Sequence, residues 1–134
     1  MKKGFKNSIL FCLGGTAYVI VELCWRGRSD GSMFLLGGMC FMIVGGKIAA
    51  VTQLPLALRL VAGATVITAL ELLTGLVVNR DYRVWDYRTM PLQFLGQICL
   101  SYSLLWIPVS LGAMHLYDWA DRFLDRISNS KPPR

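Results

Sequence analysis

Four long apolar stretches, each about as long as a bilayer is thick, constrain this chain more than any other feature. They cover residues 8–25, 33–51, 56–79 and 92–113. A hydrocarbon core of ~30 Å takes about 20 helical residues to cross. Backbone in lipid must satisfy its own hydrogen bonds, and a helix does so. The predicted fold is therefore all-α, a polytopic membrane protein with four transmembrane helices in a single domain, residues 1–134. Charge agrees, since only 16% of the residues are charged, against about 25% in soluble domains.

The segments between and beyond the stretches fill in the layout. Lys2, Lys3 and Lys6 precede the first stretch, which contains Glu22 and no small-x-small cleavage site, so it reads as an uncleaved span. The 26–32 loop is short and makes the first two spans antiparallel neighbours. Pro55 separates the second span from the third. Pro108 is expected to kink the fourth, or to free a carbonyl for Ser110. Leu116, Trp119, Ala120, Phe123, Leu124 and Ile127 then form one apolar stripe with charges between them. That pattern predicts an amphipathic helix over 114–127, lying on the membrane surface or extending span four. Residues 128–134, with two prolines, read as a disordered tail.

Lys and Arg set the orientation. Lys2, Lys3, Lys6, Lys47, Arg59, Arg122, Arg126, Lys131 and Arg134 fall on one side. Arg26, Arg28, Arg80, Arg83 and Arg88 fall on the other. Both termini are expected in the cytoplasm. The net charge of +6 sits at segment ends, so nucleic acid is not an expected partner. The bilayer is one expected partner. Four helices enclose little volume, so a homo-oligomer or a larger membrane complex is another. The four cysteines form no Cys-x-x-Cys pair and His115 stands apart. No metal or cofactor is expected. No complete catalytic motif and no Gly-x4-Gly-Lys-Ser/Thr loop is present, so the chain is not expected to be an enzyme.

Polar residues inside the apolar stretches mark the candidate site. A carboxylate in hydrocarbon costs on the order of 3 kcal/mol or more, and the chain places two there, Glu22 and Glu71. Gly14, Gly15, Tyr18 and Glu22 share one face of span one. Thr65, Thr68, Glu71, Gly75 and Asn79 share one face of span three. Gln93, Gln97 and Ser101 recur every four residues in span four. Gly14-x-Thr16-x5-Glu22-Leu23 also matches Gly63-x-Thr65-x5-Glu71-Leu72, and Leu36-Gly37-x-x-Cys40 matches Leu95-Gly96-x-x-Cys99. This suggests two parallel-repeated hairpins, the second carrying a loop about ten residues longer. The candidate binding residues are Glu22, Glu71, Arg26, Arg80, Trp85, Asp86, Tyr87 and Gln97, at the outer ends of helices one and three. They could form a protonatable or cation-binding pair, a Glu–Arg lattice, or a lock between helices.

Glu71-Leu-Leu-Thr-Gly75, Val84-Trp-Asp-Tyr87, Pro91, Leu95-Gly-Gln-Ile-Cys-Leu100 and Ser103-Leu-Leu-Trp106 resemble the second half of a family of small bacterial membrane proteins. That family is catalogued as "putative ABC-transporter type IV". The resemblance implies a bacterial plasma (inner) membrane location and a transporter component or ion/solute-handling subunit. The alternative is a non-transporting assembly or regulatory partner that binds through Trp119 and Phe123.

Overall fold

The computed structural model describes residues 2–27 and 29–129, the side chains of Arg26 and Asn129 excepted. Arg28, Lys131, Arg134 and the tail beyond residue 129 lie outside the described residues. The chain is mostly helical. α1 spans Lys3–Arg26 and α2 spans Gly31–Cys40, which continues as a π-helical segment, Phe41–Ile48. α3 spans Leu56–Val78 and α4 spans Leu100–Asn129. Three helical stretches, Lys3–Trp25, Gly31–Ile48 and Leu56–Val78, are long and apolar enough to cross a membrane.

Local chemistry explains the helix ends. α1 stops at Gly27, whose φ of 75° closes the helix through its N–H to the Leu23 carbonyl. Asp30 caps α2 by accepting from the Ser32 N–H at 3.0 Å and the Ser32 hydroxyl at 2.6 Å. These two donors hold the Asp30 carboxyl below its ordinary value. Pro55 precedes α3, and Arg59 reaches back to the Ala49 and Leu54 carbonyls at 3.0 and 3.2 Å, tying off the turn.

The helices pack as two hairpins, α1 on α2 and α3 on α4. Small residues make the first interface. Gly14 lies against Phe41, and Gly37 against Tyr18, so closely that a Cβ at either would collide with the ring. In the second, Gly63 receives Ser110 and Thr68 donates to Ser103 at 3.0 Å. Ser110 therefore packs across the hairpin instead of engaging a carbonyl freed by Pro108. The core between hairpins includes Met33, Leu36, Val44, Ile67 and Trp106. At one end, the Lys6 ammonium meets the Asp121 carboxylate at 2.5 Å and Asp125 at 2.6 Å, fastening the start of α1 to the last part of α4.

The chain is mostly helical, as expected, but helix four begins at Leu100, not residue 92. Residues 93–99 form a small antiparallel ribbon instead, β1 (Gln93–Phe94) on β2 (Ile98–Cys99), with Gln93 opposite Cys99 and Phe94 opposite Ile98. The cause is a turn with φ of 55° at Leu92, 55° at Leu95 and 68° at Gly96, values that no right-handed helix accommodates. Gln93, Gln97 and Ser101 therefore do not share a helix face. Leu36-Gly37-Cys40 lies on a helix while Leu95-Gly96-Cys99 lies on the ribbon, so only the Gly14–Glu22 and Gly63–Glu71 match falls on like elements. The amphipathic stretch 114–127 continues α4 through Pro108, the second of the two arrangements expected for it.

Candidate functional site

The loop between α3 and α4 is built around one amide. Asn79 follows α3 and is fully buried. Its Oδ1 accepts from the Val84 N–H at 2.8 Å and the Trp85 N–H at 3.1 Å. Its Nδ2 donates to the Trp85 carbonyl at 2.6 Å and to Gln97 Oε1 at 2.9 Å. Gln97 answers with Nε2 to the Asn79 carbonyl at 3.0 Å, and the Trp85 indole N–H donates to the Gln97 carbonyl at 2.8 Å. Trp85, Asn79 and Gln97 are each at most 2% exposed. Burial of so many polar atoms is tolerable because they satisfy one another. The knot seats on α3 at Gly75, where a Cβ would run into Gln97 Oε1 and the Trp85 ring.

A second layer of aromatic and charged contacts orders the rest of the loop. Asp86 forms a two-pronged pair with Arg88, Nε at 2.9 Å and Nη2 at 2.8 Å, and also accepts from the Arg88 N–H. This guanidinium holds the Asp86 carboxyl down at about 2. Arg88 covers the Tyr82 ring at 4.1 Å. The Tyr82 hydroxyl donates to the Leu95 carbonyl at 3.1 Å. Tyr87 stacks on Tyr102 with ring centroids 4.9 Å apart. Gly96 must be glycine twice over, for its φ of 68° and because a Cβ would strike Arg88 and Tyr82.

Beneath this cap lies Glu71, 2% exposed on α3. Glu22 on α1 is half-buried. Tyr18 faces Trp106 of α4, centroids 6.1 Å apart. Tyr18, Glu22, Cys40 and Trp106 line a cavity of about 250 Å³ whose remaining walls are largely aliphatic.

The sequence-predicted residues divide accordingly. Glu22 and Tyr18 line one cavity, and Glu71 is buried on α3. Trp85 and Gln97 belong to the buried knot, and Tyr87 to the stacked layer above. Asp86 is exposed and committed to Arg88, which turns it away from acid–base work. Arg80 is exposed and donates to the Leu76 carbonyl at 2.9 Å, capping its own helix. Arg26 ends α1, and its side chain lies outside the described residues. Sequence reasoning placed Tyr18 and Asn79 on the polar faces but not among the binding residues, and left out Trp106. An asparagine directly after an apolar span was the available signal for Asn79, because asparagine tolerates helix-end geometry. Among the described residues no group of three or more His, Cys, Asp or Glu is placed to hold a metal.

No curated protein and no solved structure matches the chain. One family model does, described as "Putative ABC-transporter type IV", and it matches residues 9–131. Nearly the whole described chain, from the first turns of α1 to the end of α4, falls inside that match, and the protein belongs to this family.

Proposed function

We propose that the protein is an ion- or solute-handling subunit of a membrane transport system, working through the carboxylates Glu22 and Glu71 below the outer cap. The observation that carries this reading is Glu71, 2% exposed inside a helix apolar enough to cross a membrane. Such a carboxylate is retained against a considerable desolvation cost, and a second acid, Glu22, stands half-buried on α1. Membership of a transporter-type family points the same way.

The topology that goes with it has four crossings and both ends in the cytoplasm of a bacterial plasma membrane. Parity supports this. Three crossings would leave the two chain ends on opposite sides, yet Lys6 near the start of α1 pairs with Asp121 and Asp125 of α4. A return crossing by α4 would account for that pairing. Its 30 residues give a length of about 45 Å, enough to span and to project beyond. The two hairpins are a candidate parallel repeat, supported by Gly14 and Gly63 each seating a residue of its own hairpin partner. A homo-oligomer or a larger permease would enlarge the small enclosed volume.

The test is cation flux in sealed vesicles containing the purified protein, driven by a pH or salt gradient. Wild type is expected to carry flux, and Glu71→Gln to lose it while eluting as the same folded assembly. Tight vesicles without flux under any gradient refute the reading. A second reading, a non-transporting assembly partner, is favoured by one feature. Trp119 and Phe123 stack at 5.4 Å and remain 60% and 43% exposed on the projecting part of α4. Crosslinking that recovers a stable heteropartner, lost when residues 117–134 are deleted, would favour it.

A further inference from the structure

The ribbon between α3 and α4 turns an apolar edge outward. Leu92, Phe94 and Leu95 are 75%, 55% and 52% exposed. Two of them, Leu92 and Leu95, hold φ at 55°. Turns that face water fill such left-handed positions with glycine, asparagine or aspartate. A leucine there carries backbone strain, and in water its exposed side chain gains nothing in return.

Register fixes the depth of this edge. Gly63 of α3 meets Ser110 of α4, and Thr68 bonds to Ser103 at 3.0 Å, so the two helices run antiparallel and are level at the second contact. Leu100 lies three residues before Ser103, and Glu71 three residues after Thr68. Both are therefore about 4.5 Å further along, level with each other. Leu92 sits beside Leu100, whose N–H its carbonyl accepts at 3.3 Å. At the other end of the ribbon, Gln97 lies against Gly75 and bonds to Asn79. The ribbon thus runs alongside the last turns of α3, from Glu71 to Val78, inside the length that is apolar enough to cross a membrane. The free surface of α3 at that depth is Leu73, Leu76 and Val77, all exposed.

Non-helical backbone is excluded from hydrocarbon unless protein meets its N–H and C=O groups. This ribbon fulfils the condition with more than its own two-stranded ladder. The Gly96 N–H donates to Gln93 Oε1 at 2.6 Å, and the Gly96 carbonyl accepts from the Tyr87 N–H at 3.0 Å. The Leu95 carbonyl takes the Tyr82 hydroxyl at 3.1 Å. The Phe94 carbonyl takes the Gln97 N–H at 3.1 Å, and the Gln97 carbonyl takes the Trp85 indole at 2.8 Å. The turn has its polar groups facing protein and its leucines facing out, the reverse of a turn built for water.

We propose that residues 92–99 form a membrane-inserted ribbon, lying within one leaflet beside the end of α3, with Leu92, Phe94 and Leu95 against lipid acyl chains. The partner is lipid, and neither water nor a second copy of the chain covers this edge. The proposal rests on the crossing of the bilayer by α3 and is independent of ion handling at Glu22 and Glu71.

The experiment footprints the full-length wild-type protein in phosphatidylcholine vesicles with two probes. One is a phosphatidylcholine carrying a diazirine on its acyl chain, activated by light. The other is hydroxyl radical generated in the water. Modified residues are located by mass spectrometry. Leu92, Phe94 and Leu95 should take the acyl label within about threefold of Val77 and at least tenfold above Arg83. Phe94 should be oxidised at no more than one-tenth of its rate in the unfolded chain. Acyl labelling of the ribbon below one-tenth of that at Val77, with rapid oxidation of Phe94, marks an aqueous turn and overturns the proposal. Protection from both probes marks a protein partner or a second copy and overturns it too. Leu95→Asn gives an independent readout, because asparagine suits the left-handed backbone but not lipid. Its unfolding midpoint in maltoside micelles should fall, and an unchanged or raised midpoint counts as refutation.

Discussion

Replacing Asn79 by alanine should destabilise the protein by about 3–5 kcal/mol and release the loop between α3 and α4. The side chain makes four hydrogen bonds, two accepted by Oδ1 and two donated by Nδ2. At a net ~1 kcal/mol each they sum to about 4 kcal/mol. Relief and penalty then adjust the figure. Val84 is half-buried, and its freed N–H can take water. Trp85 and Gln97 are 2% exposed, and each group stranded there costs about 1–3 kcal/mol. Asn79→Asp should be at least as harmful, because it turns a carboxylate toward two acceptor oxygens, the Trp85 carbonyl and Gln97 Oε1. The assay is reversible unfolding in mixed micelles, followed by tryptophan fluorescence, with tryptic cleavage at Arg83 and Arg88 reporting on the loop. A double-mutant cycle with Gln97→Ala should give a coupling of at least ~1 kcal/mol, since the two amides share one network. Costs below about 1 kcal/mol for each single variant, adding without coupling, would show that the knot is not what holds the cap.

Other expectations follow from the same geometry. Gly75→Ala should cost about 1–3 kcal/mol by overpacking against Gln97 and Trp85, whereas Gly112→Ala should be neutral or slightly stabilising, as the same unfolding assay will show. Asp30→Ala should cost about 1 kcal/mol through loss of the α2 cap, with Asp30→Asn costing less. The Asp86 carboxyl is held at about 2, below its unfolded value near 4. Its pairing with Arg88 should therefore contribute fully above about pH 4 and fade as pH falls toward about 2. Carboxyl titration by NMR checks this, and an Asp86 midpoint near 4 would contradict it.

How much of this was readable beforehand depended on which signal each element leaves in the chain. α1, α2 and α3 announce themselves through length and continuous apolarity, and their ends through Gly27, Asp30 and Pro55. The ribbon before α4 hides because its residues imitate a helix. Gln93, Gln97 and Ser101 are spaced by four, and two of the left-handed positions that break the helix are leucines. Leucine at such a position carries no local warning, unlike Gly96. The π-helical turn at Phe41–Ile48 hides as well; in it Gly45 and Gly46 pack against Tyr117, a residue far along the chain. In the site, Glu22 and Glu71 stand out as charges in apolar surroundings. Asn79 does not, because its four partners become partners only after the loop has folded back. Asp86 looked available for chemistry because the pattern of charges does not reveal that Arg88, two residues on, engages it.

The buried knot also divides the loop into positions that are constrained and positions that are free to vary. One asparagine addresses the backbone of Trp85 and the side chain of Gln97, so the path of the intervening chain is specified from inside. Asp81, Arg83 and Thr89 lie on the outside of that path and are exposed. Their identities can drift, or be randomised in a library, without altering where the chain runs. The segment is thus a natural display scaffold, in which three interior side chains store the shape and the exterior is left open to whatever the surroundings select.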